Sequence, residues 1–159
     1  MQKDKRKKTA LAPKVACVAA VFIVVTLYLF FSKNHKAESQ NNVIKIDALE
    51  LNIEVADSGE ERIRGLSNRN SLSSDSGMLF TFESVDEYCF WMKDMNFAID
   101  MIWIGEDQKI THIQKNVTPG TYPVTFCNSG KYVLEINSGL SDKYGLQNGQ
   151  TAQIVLDSL

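Results

Sequence analysis

Histidine is scarce in this chain, and only His112 of the two lies within the region that reads as a folded domain. The three cysteines, Cys17, Cys89 and Cys127, are far apart, so no His/Cys cluster has metal-ligand spacing and no metal site is expected. The glycines are also isolated: Gly77, Gly105, Gly120 and Gly130 stand singly at turn-like positions. That excludes a phosphate-cradling loop and a Gly-x-Ser-x-Gly nucleophile elbow, and no cofactor is expected. Cations are in short supply after residue 36, where nine Lys or Arg face eighteen Asp or Glu. Without a basic patch to neutralise phosphates, a nucleic-acid partner is not expected.

The first part of the chain is different. Up to Lys36 there are eight basic residues and one acid, Asp4, so the net charge of −2 is +7 on this part and −9 on the rest. Between the basic stub and the acidic domain runs Val15 to Phe31, with no charged side chain. As a helix it would reach about 25 Å, close to the hydrocarbon thickness of a bilayer, and Lys14 could snorkel at its edge. The positive-inside rule then leaves residues 1–14 in the cytoplasm and carries the rest across a cell membrane. A cleaved signal peptide is the rival reading, but its apolar core is shorter and Ser32 to Ala37 offers no small-x-small site. The polar stretch 32–42 reads as a linker, and residues 43–159 as one extracytoplasmic domain large enough to bury a core.

Within that domain, Leu49, Leu51, Ile53 and Val55 alternate with polar residues, the period of a half-buried strand. Ser58 and Glu61 have capping-box spacing, which predicts a short helix over Glu60 to Leu66. Met78–Phe82, Tyr88–Met92 and Ile99–Ile104 are aromatic or β-branched runs and read as three strands. A turn at 105–109 returns the chain to Ile110–Ile113, and Asn116 to Pro123 reads as an irregular loop. Tyr132–Ile136 and Ile154–Leu156 supply further strands, with one helical turn over Leu140–Tyr144 closed by Gly145. The expected fold is mainly β: a small barrel or sandwich of about seven short strands with one or two short helices, preceded by one transmembrane helix.

Three groups of residues could carry chemistry. Cys89 and Cys127 could form a disulfide across a loop of about 38 residues, worth roughly 3–4 kcal/mol. They could equally be packed thiols, or one could be a nucleophile served by His112. Trp91 beside Lys93 could floor a ligand cleft, or Phe90, Trp91 and Met92 could simply be core. Asp100 and Glu135 are acids embedded in apolar strands, so each is either exposed or held by a cation or hydrogen-bond donor. Arg62, Arg64 and Lys93 are the available cations. Two such acids on one cleft would suit general acid/base attack on carbohydrate.

The blocks EVADSGEERIRGLSNRNSL, SGMLF, FWMKDMNFAIDMIWI, the loop from Asn116-Val117 to Pro123, KYVLEINSG and YGLQNGQ, in that order, resemble the domain-of-unknown-function-192 family. The resemblance spans about Leu51 to Ile154. It implies a small all-β, barrel-like fold, often secreted or membrane-attached in prokaryotes, with no established activity. The positions matching its motifs are Arg64, Gly65, Gly77, Met78, Phe80, Phe90, Trp91, Met92, Lys93, Asp100, Glu135, Gly139, Gly145 and Gly149. The glycines are explained by turns and caps. Arg64, Trp91, Lys93, Asp100 and Glu135 are not, and they form the expected polar cleft. Cys89 and Cys127 are no part of those motifs. A membrane-anchored binding module for an envelope glycan, peptide or protein partner is the leading expectation. A carbohydrate hydrolase or lyase using Asp100 and Glu135 is the alternative.

Overall fold

A computed structural model describes residues 42–157. The expected anchor Val15–Phe31, the basic stub, Cys17 and most of the linker lie outside them. Among the described residues no helix is long and apolar enough to cross a membrane.

Seven strands form a single sheet: β1 (Val43–Ile46), β2 (Leu49–Ala56), β3 (Ser76–Trp91), β4 (Ile99–Ile104), β5 (Ile110–Val117), β6 (Thr125–Asn137) and β7 (Gln153–Val155). Two short helices accompany them, α1 (Gly59–Arg64) and α2 (Leu140–Lys143). The order across the sheet is β5-β4-β6-β3-β2-β1-β7, with β2 and β3 parallel and the other pairs antiparallel. The sheet curls so that the segment leading into β7 touches the start of β5. Ile110 N–H donates to Gln150 O, Gly149 N–H to Ile110 O and Ala152 N–H to Gln108 O, at 2.7–2.9 Å. The barrel expectation therefore holds as a curled half-barrel, and the second sheet of a sandwich is not formed among the described residues.

The alternation in β2 follows the sequence reading, with Leu49, Leu51 and Ile53 buried and Glu50, Asn52 and Glu54 exposed. These side chains join Ile44, Ile46, Leu79, Ile102, Leu134 and Ile136 in the core on one face of the sheet. The other face has its own core, where Phe80, Met101, Trp103 and Val133 meet Leu66 and Met92. An alternating strand buries only one face, so the consecutive burial of Ile99 to Ile104 shows that β4 serves both cores.

The two runs expected as separate strands, Met78–Phe82 and Tyr88–Met92, belong to one sixteen-residue strand, β3. Its polar middle pairs with no residue of β6 between Thr81 and Asp86, where the register shifts. Such a bulge bends a strand and strengthens its twist. Beyond the bend, Phe90 packs edge-on against both Phe80 and Trp103, at ring separations of 4.8 and 6.1 Å. The outer half of the antiparallel β3–β6 pair thus lies over the second core instead of projecting into water. Gly130 sits at the bend in β6, inside a strand and not at a turn. A Cβ there would lie 3.0 Å from Ile104 O, so the approach of β4 requires glycine.

Helix α1 carries the expected capping box. Ser58 Oγ accepts from Glu61 N–H at 3.2 Å and Glu61 Oε2 accepts from Ser58 N–H at 3.1 Å. The helix ends two residues earlier than expected, at Arg64, because Gly65 takes φ +46°.

Candidate functional site

A cavity of about 400 Å³ opens between α1 with its following turn and the outer half of β3. Arg62, Ile63, Arg64 and Gly65 line one side. Tyr88, Phe90 and Trp91 line the other, with Phe80 and Glu135 also facing the space. Its shape depends on Gly65. A Cβ there would stand 3.2 Å from the Phe80 ring, in a backbone conformation that side chains rarely adopt. The two walls are tied together beneath the opening. Ser67 Oγ donates to Lys93 O at 3.0 Å and Asn68 N–H to Asp94 O at 2.7 Å.

Glu135 is the unusual residue. In β6 it stands between Met78 of β3 and Met101 of β4, on the face of the aromatic core. It is 5% exposed and makes no hydrogen bond or ion pair among the described residues. The expected donor or cation beside it is therefore not there. Burial alone raises its pKa from the ordinary 4.5 to about 8, so it carries a proton at neutral pH.

The aromatic side chains stand in a fixed arrangement. Phe82 stacks on Tyr88 at 3.5 Å between centroids, and the Arg62 guanidinium lies 5.2 Å from the Phe82 ring. Arg62 also donates to Thr81 O at 2.9 Å and to Asp57 O. Arg64 is exposed and has no such engagement among the described residues. Trp91 is 50% exposed and its ring meets Tyr122 edge-on at 6.4 Å, while Ile63 is 81% exposed. An apolar lip therefore surrounds an aromatic interior that ends on a buried acid.

Of the five residues expected to form a polar cleft, Arg64, Trp91 and Glu135 line this cavity. Lys93 does not; it sits exposed on the turn after β3, outside the lining. Asp100 lies on the opposite face of the sheet. It pairs across β4–β6 with Ile136, whereas Glu135 pairs with Met101, and successive side chains alternate between faces. Asp100 is fully buried and its carboxylate is held by backbone N–H groups, not by a cation. Asn116 donates at 2.8 Å, Ser141 at 3.0 Å and Gly139 at 3.2 Å. These bonds pin the end of β5 and the entry to α2 onto β4, a structural role. Asp100 and Glu135 consequently share no cleft, and the geometry offers no acid/base pair.

Cys89 and Cys127 are opposed across β3 and β6 and joined as a disulfide, with sulfurs 2.01 Å apart. That closes the free-thiol and nucleophile alternatives. Glu87 comes within 4.8 Å of both sulfurs, but paired sulfurs have no thiolate to offer a cation. His112 instead packs edge-on against Trp103 at 5.8 Å.

Several lining residues were not singled out from sequence, notably Ile63, Phe82, Tyr88 and Met95. Phe80 with Phe82, and Tyr88 with Phe90, are each spaced by two, and that repetition was the available signal. What hid it was the polar segment between the pairs.

This is a curled β-domain with an aromatic cavity ending on a neutral carboxyl group. Residues 42–154 match the DUF192 family, described as an uncharacterized ACR, and the chain belongs to that family. No curated protein matches the chain significantly. Among solved structures it is similar to a Sinorhizobium meliloti protein proposed to be a transcription regulator. That likeness has 27% identity and a TM-score of 0.66, over 72% of this chain and 92% of that one. It is also similar to a protein of unknown function from Novosphingobium aromaticivorans, with 25% identity and a TM-score of 0.67, over 75% of this chain and 89% of that one.

Proposed function

We propose that the chain is a membrane-anchored, extracytoplasmic binding module whose ligand seat is the cavity ending on Glu135. The observation that carries this reading is a carboxyl group that is 5% exposed, without a partner among the described residues, and walled by aromatic rings. Burying a polar group without a partner is unfavourable, and a ligand that supplies the partner recovers that free energy on binding. Concave, mostly apolar sites with a few convergent polar groups are the usual form of a ligand pocket. The uncharged run Val15–Phe31 behind a Lys-rich stub supports the anchor. The Cys89–Cys127 disulfide suits an oxidising compartment outside the cytoplasm.

Envelope glycans, peptides and protein segments are the ligand classes to test. The excess of acids beyond residue 36 gives no support to a nucleic-acid role by analogy with the Sinorhizobium protein. The test is the melting temperature of the 159-residue chain in detergent against a panel of these ligands, with Glu135→Gln and Trp91→Ala alongside. A ligand at about a hundred times its dissociation constant adds about 2.7 kcal/mol, or several degrees. A shift that both substitutions diminish supports the cavity as the seat. A shift that neither alters places binding elsewhere, and the proposal fails.

A further inference from the structure

The proposed ligand seat has polarity at both ends, and its charges constrain what fits. At the inner end stands Glu135, with no donor among the described residues. The interior is built from rings of Phe80, Phe82, Tyr88 and Phe90. The negative faces of aromatic rings attract cations, as the placement of Arg62 over Phe82 at 5.2 Å already illustrates. Arg64 also lines the cavity, exposed to solvent, and its guanidinium has no hydrogen bond or ion pair among the described residues. Arg62 is occupied by Thr81 O and Asp57 O and is not free to serve an incoming anion in the same way.

We infer that this cavity takes an amino-acid-like zwitterion: its ammonium group meets Glu135, its apolar body lies between the rings, and its carboxylate meets Arg64. The inference rests on the binding reading above and names the ligand class. A simple anion would gain Arg64 and could accept from the protonated Glu135, but it brings no positive charge to meet the carboxyl group's remaining acceptor capacity. A simple amine would satisfy Glu135 but would have to pass the guanidinium at the mouth. A molecule carrying both charges answers both ends, and the half-exposed Trp91 and exposed Ile63 can cover its outer apolar surface.

Binding of an ammonium group should ionise Glu135, because the carboxyl group is held neutral only by its burial. The proton leaves to solvent as the ion pair forms. The other titratable groups lining the cavity are Arg62 and Arg64 from α1 and Tyr88 from β3.

The test uses matched probes on the 159-residue chain in detergent: phenylalanine, phenethylamine, 3-phenylpropionate and the neutral 3-phenylpropan-1-ol. Calorimetry at pH 7 in two buffers of different ionisation heat reads both affinity and protons released. Phenylalanine should bind best, phenethylamine next, and the acid and the alcohol least. The two amines should release protons. Glu135→Gln should weaken both amines about tenfold or more and abolish that release. Arg64→Met should bring phenylalanine down to phenethylamine while leaving phenethylamine no weaker. Equal or tighter binding of the acid or the alcohol, without proton release, overturns the zwitterion inference while the cavity remains a binding site. Absence of binding by every probe at millimolar concentration also overturns it, and the broader panel then decides separately whether the cavity binds anything.

Discussion

Replacing Glu135 by glutamine tests the buried acid without changing its shape, and its effect on stability can be worked out from linkage. In the folded domain burial raises the Glu135 pKa to about 8, against 4.5 for an unburied glutamate. Below pH 4.5 the carboxyl group is protonated in both the folded and the unfolded chain, so it adds no pH dependence. Between 4.5 and 8 the unfolded chain releases the proton while the folded one retains it, and stability falls as pH rises. Above 8 the loss is complete. At about 1.36 kcal/mol per pH unit, the penalty is of order 3 kcal/mol at pH 7 and of order 5 kcal/mol above pH 9. Glutamine stays neutral throughout and escapes it. Glu135→Gln should therefore match the wild type near pH 4 and be more stable by about 3 kcal/mol at pH 7, roughly 10 °C in Tm for a domain of this size. Urea titrations of both proteins at pH 4, 5.5, 7 and 9 give the difference directly. A difference that does not grow with pH, or a glutamine variant less stable at pH 7, would show that Glu135 is not held neutral by its burial. Either result would mean that Glu135 is ionised and held by a partner.

Asp100→Asn should destabilise the fold by about 3 kcal/mol, because an amide donor would face some of the N–H groups of Asn116, Gly139 and Ser141 that now bond a carboxylate. Chemical denaturation checks this, and an unchanged midpoint would remove Asp100 from its structural role. Reducing the Cys89–Cys127 bond, or replacing both residues with serine, should lower stability by about 4 kcal/mol, given the 38-residue separation. The same change should weaken any cavity ligand, since the bond braces the β3–β6 strand pair that forms the cavity wall; a ligand indifferent to reduction would count against that brace. Ser141→Ala should be neutral or slightly stabilising, because the buried Ser141 hydroxyl has no hydrogen-bond partner among the described residues to lose. A clear drop in Tm would mean that the hydroxyl is satisfied in solution.

Local chemistry was the most legible part of the sequence. The Ser58–Glu61 box, the 105–109 turn and the alternation in Leu49–Val55 each depend on neighbours a few residues apart, and all three recur in the structure. The length of β3 was harder to see. Its middle, Glu83 to Glu87, is exposed and polar except for Val85, and β pairing with the distant Asn128–Gly130 segment, not local propensity, keeps residues 86–88 extended. Three of the cavity residues, Arg64, Trp91 and Glu135, were singled out as a group by the family resemblance. Asp100 joined them in that list because an acid in an apolar strand looks the same whether it faces a ligand or caps backbone N–H groups. Only the strand register separates the two cases. The sequence alone leaves the Cys89–Cys127 pairing open, because only the register of β3 against β6 places the two residues opposite each other.

The most direct measurement is a crystal structure of the 159-residue chain with phenylalanine, or with the strongest ligand from the melting panel. The ligand should lie between α1 and the outer half of β3, with a donor within hydrogen-bond distance of Glu135. A ligand bound elsewhere, with Glu135 still unpartnered, would contradict the claim that this cavity is the functional site.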